Sequence, residues 1–170
     1  YNPANEPKML MSLDTLSDVV LDKYAGLGVG IIKDAYYPDT VSKIKAALSE
    51  LHQYPRSSAD IEAGSLDFDT AGVATISFCW TQHEGIAFAV DYVPYPDDFI
   101  GPIQLGHEGM LIPNPEIRKV LKDFFDTYEG TLTWHNSPYD LGVLIYELWM
   151  ADLLDTNGLL TGLETMTRSF

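Results

Sequence analysis

Asp60-Ile61-Glu62 and, far downstream, Asp140 within His135-Asn136-Ser137-Pro138-Tyr139-Asp140 are the residues whose types and spacing can do chemistry. In a strand, residues i and i+2 share a face, so Asp60 and Glu62 can converge on one point while Ile61 faces a core. Two converging carboxylates repel unless a positive charge sits between them, and hard oxygen ligands of this kind suit Mg²⁺ or Mn²⁺. A third carboxylate delivered from a helix start completes a two-metal site of the sort that cuts phosphodiesters. The pattern predicts a metal-dependent nuclease. The plain alternatives are two solvated charges on an edge strand and, for Asp140, a charge that merely favours a helix N-terminus.

The elements that must position these residues are visible as periodicities. Residues 13–24 have helical spacing through Leu16, Val19, Val20 and Leu21, and Gly26 and Gly28 end that helix. Gly28-Val29-Gly30 reads as a turn, because no strand–GxGxxG–helix context surrounds it. Asp39 and Thr40 open a second helix with Val41, Ile44, Ala47, Leu48 and Leu51 on one stripe, stopping before Pro55. The acidic pair then lies on a short strand over residues 57–63. Further strands are expected near 72–81 and 85–90, with a turn at Gln82-His83-Glu84 between them. Residues 91–113 are the least regular. A helix follows over 115–128 with Ile117, Val120, Leu121, Phe124 and Phe125 inward, then a strand over 131–135. Ser137 is expected to cap a last helix running to about Leu154, with Pro138 at its first position. A meander followed by alternating helix and strand points to an α/β sheet. The second pair of the same spacing, Asp67-Phe68-Asp69, is placed by Gly64, Ser65 and Gly72 in a turn between strands. His135 packs or caps the end of its strand, while His52, His83 and His107 lack zinc spacing.

Composition narrows the setting. At 170 residues with 46% hydrophobic content, seven Phe, ten Tyr and three Trp, one domain plus a short extra segment is the natural expectation. No apolar run is long enough to span a membrane, so no membrane partner is expected. The chain starts at Tyr1 and carries no signal-peptide pattern, which reads as a piece of a longer protein. Cys79 is the only cysteine; it sits in the apolar run 74–80, reads as a buried core residue, and makes a reducing, cytoplasmic setting the default. A net charge of −15 with only ten Lys and Arg cuts against generic nucleic-acid affinity. A basic footprint must then lie elsewhere in the protein, or bound cations must offset the acidic site.

The stretch Asp60-Ile-Glu62-Ala-Gly-Ser65-Leu66-Asp67 resembles the first motif of the 3′→5′ proofreading exonuclease domain of family A, polymerase I-type DNA polymerases, within the DEDD superfamily. Leu132-Thr-Trp-His135-Asn136-Ser-Pro-Tyr139-Asp140 is similar to the second motif. Phage-type polymerases resemble the chain more than bacterial ones, in part through Ile76-Ser-Phe-Cys-Trp80, which would place the protein in a host cytoplasm. The resemblance implies a ribonuclease H-like α/β fold, a mixed sheet flanked by helices, with residues 1–39 an upstream segment and 40–170 the exonuclease-like domain. It implies Asp60, Glu62 and Asp140 as catalytic and metal-binding residues for two divalent cations, Mg²⁺ or Mn²⁺, with Asp60 shared between them. Leu66, Asn136 and Tyr139 would bind the substrate, Leu66 as a wedge against the terminal bases and Asn136 through its amide. The reaction would be in-line hydrolysis of the last phosphodiester of a single-stranded DNA 3′ end, releasing a nucleoside monophosphate.

The chain departs from that pattern at one point. A third motif, Tyr-x-x-x-Asp or His-x-x-x-x-Asp, is expected after the second. Asp152, Asp155 and Glu164 follow, none with a Tyr four before it or a His five before it. The domain is therefore expected to be incomplete at its C-terminus, weakly folded and little active by itself, with the remainder of a polymerase chain as its partner. A free-standing DEDD exonuclease on RNA or single-stranded DNA, and a non-catalytic exonuclease-like interaction module, are the alternatives.

Overall fold

Strict alternation governs the strand that carries the acidic pair: Ser57, Ala59 and Ile61 are buried, while Arg56, Ser58, Asp60 and Glu62 are exposed. The computed structural model describes residues 34–96 and 109–168, all within the unit that spans Lys33–Phe170. The helix expected at 13–24, the turn at 28–30 and His107 lie outside the described residues. In chain order the elements are β1 (Asp34–Tyr36), α1 (Val41–Leu51), β2 (Arg56–Glu62), β3 (Thr75–Cys79), β4 (Glu84–Ala89), β5 (Tyr92–Pro94) and β6 (Gly109–Leu111). They continue with α2 (Pro115–Thr127), β7 (Thr131–Trp134), α3 (Ser137–Trp149) and α4 (Thr156–Thr167).

The main sheet has the order β1-β4-β3-β2-β7. β2, β3 and β4 form an antiparallel meander, and β7 returns parallel to β2 after the crossover through α2. This is the mixed sheet flanked by helices that the sequence leads one to expect. β1 lies before residue 39, the expected segment boundary, yet it pairs in parallel with β4 as the sheet's edge. Part of the irregular stretch after residue 91 is a second, two-stranded sheet made by β5 and β6.

Capping and stripes explain the helices. The Thr40 hydroxyl accepts the Lys43 N–H at the start of α1, whose Ile44, Ala47, Leu48 and Leu51 are buried. Asn114 caps α2 through the N–H groups of Glu116 and Ile117, and Pro115 takes the first position, where its missing donor costs nothing. Leu48, Phe124, Val143 and Leu144 share one core with Ile76 and Phe78 of the sheet.

Three expectations are corrected. Cys79 is exposed, because in β3 the two-residue period buries Ile76 and Phe78 and turns the last residue outward. Ser137 is the first helical residue of α3 rather than its cap; Asn136 holds the cap position and makes no side-chain cap bond. The last helix does not reach Leu154: Met150 is extended, and after a turn Asp155 caps a separate helix, α4, by accepting the Gly158 N–H at 2.9 Å.

Close approach of α4 to α3 depends on missing side chains. A Cβ at Gly158 would stand 2.4 Å from the Trp149 carbonyl oxygen, and one at Gly162 would stand 2.7 Å from Ile145 Cγ2. Gly162→Val is expected to push the helices apart and lower stability by about 1–3 kcal/mol, the usual cost of overpacking. A urea midpoint unchanged from the parent would contradict that packing.

Candidate active site

β2 sets the first half of the site. Asp60 lies opposite Ser77 and Glu62 opposite Thr75 in the β2–β3 ladder, so both carboxylates occupy the exposed face of the same strand end. On the other side, β7 pairs with β2 as far as Ala59 against Trp134. The next residues along these parallel strands are Asp60 and His135, and the chain then turns through Asn136 into α3. That turn delivers Asp140 to the neighbourhood of Asp60.

Asp140 is 4% exposed, and its Oδ2 atom is buried without a hydrogen-bond partner. Burial raises its carboxyl above the ordinary range, and the charge of Asp60 raises it further. A backbone hydrogen bond at Asn136 and the charge of His135 pull the other way. The Asp60 charge thus acts on the Asp140 carboxyl, and the opposing pulls do not cancel the rise. Among the described residues, no three His, Cys, Asp or Glu side chains converge closely enough to hold a metal ion. Asp60 and Asp140 are brought together, whereas Glu62 shares the face of Asp60 without closing a three-carboxylate cluster.

The segment after β2 is a tied turn. Gly64 N–H donates to the Ala71 carbonyl at 2.8 Å, and the Ser65 hydroxyl accepts from Asp67 N–H at 3.1 Å. Thr70 N–H closes onto the Asp67 carbonyl at 3.0 Å. Asp67 and Asp69 fall within this turn, as their flanking residues suggest. The Tyr139 hydroxyl donates to the Ser65 carbonyl, fastening the turn to the first turn of α3. Burial, and then the Asp140 charge, raise the Tyr139 hydroxyl above its ordinary pKa. Leu66, on this turn, is 90% exposed. Asn136 and His135 are also exposed. His52 is packed edge-on against Phe124, and the His83 backbone carbonyl accepts the Asp34 N–H.

Sequence patterns missed one part-buried ion network. Arg118 of α2 pairs with Asp91 at 2.6 Å and with Glu147 of α3 at 2.7 Å. Desolvation works to lower the Arg118 pKa, but hydrogen bonds and charge from Asp91 and Glu147 outweigh it and leave the group raised. Three residues from two helices and the link between β4 and β5 carry no local signal.

No protein-family model and no curated protein sequence matches the chain. Similar solved structures are the RNase domain of the yeast Pop2 protein, the Aedes aegypti Nibbler EXO domain and the catalytic core of RRP6 from Trypanosoma brucei. Pop2 is 16% identical with a TM-score of 0.48, over 78% of this chain and 65% of that one. Nibbler is 14% identical with a TM-score of 0.44, over 68% and 44%. RRP6 is 11% identical with a TM-score of 0.42, over 68% and 25%. The chain thus spans less than two thirds of the length of each. At this level of likeness the site's chemistry rests on the chain's own residues.

Proposed function

We propose that the chain is a 3′→5′ exonuclease module that trims a single-stranded DNA 3′ end, as the proofreading part of a family A DNA polymerase. Asp140 carries this reading. A buried carboxylate with one unpartnered oxygen, repelled by a second carboxylate, is a site short of positive charge. That orphaned acceptor fits a cation, and the all-oxygen donor set fits Mg²⁺ or Mn²⁺. Asp60, Glu62 and Asp140 would hold two such ions, whose charge would make water a usable nucleophile near neutral pH and would offset charge on the leaving 3′ oxygen.

The remaining work falls to the chain's own side chains. Leu66, exposed on the turn that the Ser65–Tyr139 bond ties down, would wedge against the terminal bases. Asn136, whose side chain makes no cap bond, would offer its amide to the last nucleotide. Leu66→Ala is expected to weaken binding of the 3′ end by about 1–2 kcal/mol while leaving the thermal midpoint alone, since little of the side chain is buried in the free protein. Equal binding by parent and variant would remove Leu66 from the substrate site.

The Asp-x-Glu…Ser-Leu-Asp wording supports a polymerase setting, with the rest of such a chain as partner. A free-standing exonuclease on RNA or single-stranded DNA would use the same residues, and template-directed primer extension by the intact protein separates the two. The net charge of −15 favours one further reading, a non-catalytic interaction module. A 5′-labelled single strand decides between enzyme and module. Stepwise shortening in Mg²⁺ or Mn²⁺, abolished in Asp60→Asn, is the expected result. No shortening with either cation overturns the nuclease reading. Among the described residues, no helix is long and apolar enough to cross a membrane.

A further inference from the structure

α3 carries Asp140 in its first turn and Glu147 two turns later, and both ends of that span are tied to the segment that joins β2 to β3. At the near end, the Tyr139 hydroxyl holds the Ser65 carbonyl. At the far end, Glu147 Oε1 accepts the Gly72 N–H at 3.1 Å, while its Oε2 meets Arg118 Nη1 at 2.7 Å. The same guanidinium forks onto Asp91, Nε to Oδ1 at 2.9 Å and Nη2 to Oδ2 at 2.6 Å. Asp91, 1% exposed, also accepts the N–H groups of Val73 at 3.1 Å and Asn114 at 3.0 Å.

One arginine therefore holds two carboxylates on which two consecutive backbone amides, Gly72 and Val73, terminate. Gly72 has φ +59°, in the left-handed region that suits glycine, so the bend into β3 is fixed there. β3 sets the register of Asp60 and Glu62, and α3 sets the position of Asp140. The network joins α3 to the link that leads into β3. Its carboxylates satisfy the N–H groups of Gly72, Val73 and Asn114, but the ion pairing itself costs about as much desolvation as it returns. A planar fork, by contrast, fixes geometry in a way that apolar contacts do not.

We propose that Arg118, acting through Glu147 and Asp91, is a positioning residue that sets Asp140 against Asp60 and Glu62, and thereby the affinity of the site for a divalent cation. The inference rests on the nuclease reading above.

Arg118→Lys keeps the charge and loses the fork; Glu147→Gln keeps an acceptor for Gly72 and weakens the ion pair. Mn²⁺ affinity by calorimetry, thermal midpoint, and kcat and KM on a single-stranded oligonucleotide are measured for parent and both variants. The expected result is Mn²⁺ binding weakened about 10-fold, the scale of outer-shell changes at metal sites. With it should come a lower kcat at unchanged KM for the strand, restored by excess Mn²⁺. Unchanged Mn²⁺ affinity, whether or not the thermal midpoint falls, would reduce the network to a staple and overturn the inference. Should Arg118→Lys fail to fold, Glu147→Gln alone decides. A parent without Mn²⁺ affinity overturns the nuclease reading and this inference together, whereas a parent that binds beside variants that bind equally overturns the inference only.

Discussion

Asp140→Asn is expected to cut 3′-end hydrolysis by about 100- to 1,000-fold, the scale of losing one preorganised electrostatic group, and at the same time to stabilise the metal-free protein. Burial and the Asp60 charge hold the Asp140 carboxyl above its ordinary value of 3.8, so the folded state keeps a proton that the unfolded state gives up. Its contribution is fully present below the unfolded value, is lost as pH rises through the raised folded value, and stays constant above it. Asparagine does not ionise, so the variant gains on the parent across that window and retains the gain at neutral pH. With one unsatisfied buried acceptor at stake, the gain should be about 1–3 kcal/mol. Urea midpoints in chelator at pH 4 and pH 7 check this. The gap should widen from the lower pH to the higher, and Mg²⁺ should close it by stabilising only the parent. An Asn variant less stable than the parent at pH 7 would show that the Asp140 charge is already compensated within the protein.

Arg118→Ala should have the largest effect on folding. It leaves Asp91, which is almost fully buried, and Glu147 without their cation. Removing one partner of a buried ion pair costs about 3–5 kcal/mol, a large part of the 5–15 kcal/mol that holds a typical domain together. Replacing all three by apolar residues, with Arg118→Met, Asp91→Leu and Glu147→Leu together, should recover part of the loss. Recovery should stop short of the parent, because the N–H groups of Gly72, Val73 and Asn114 would lose their acceptors. Equilibrium urea unfolding of the single and triple variants reads both effects. A loss below about 1 kcal/mol for Arg118→Ala would mean that the network behaves as a solvated surface pair.

What could be seen in the sequence was what a single element encodes. The stripe Ile44, Ala47, Leu48, Leu51 and the alternation around Asp60 and Glu62 each report one buried face, and the structure places them accordingly. α4 was hidden because Gly158 and Gly162, poor helix formers, are needed where it crosses α3, so close packing erased the local signal. Cys79 was misplaced because an apolar run looks the same whichever alternate residue faces out. In the candidate site, the two-residue period puts Asp60 and Glu62 on one strand face, as the structure has them. The burial of Asp140, its repulsion from Asp60 and the Arg118 network arise only when β2, α2 and α3 meet in space.

Crystals soaked in Mn²⁺ and measured at a wavelength where manganese scatters anomalously test the central claim most directly. The account predicts an anomalous peak between Asp60 and Asp140, with Oδ2 of Asp140 about 2.0–2.2 Å from it, as small hard cations require. No peak at this pair, in crystals of otherwise intact protein, would contradict it.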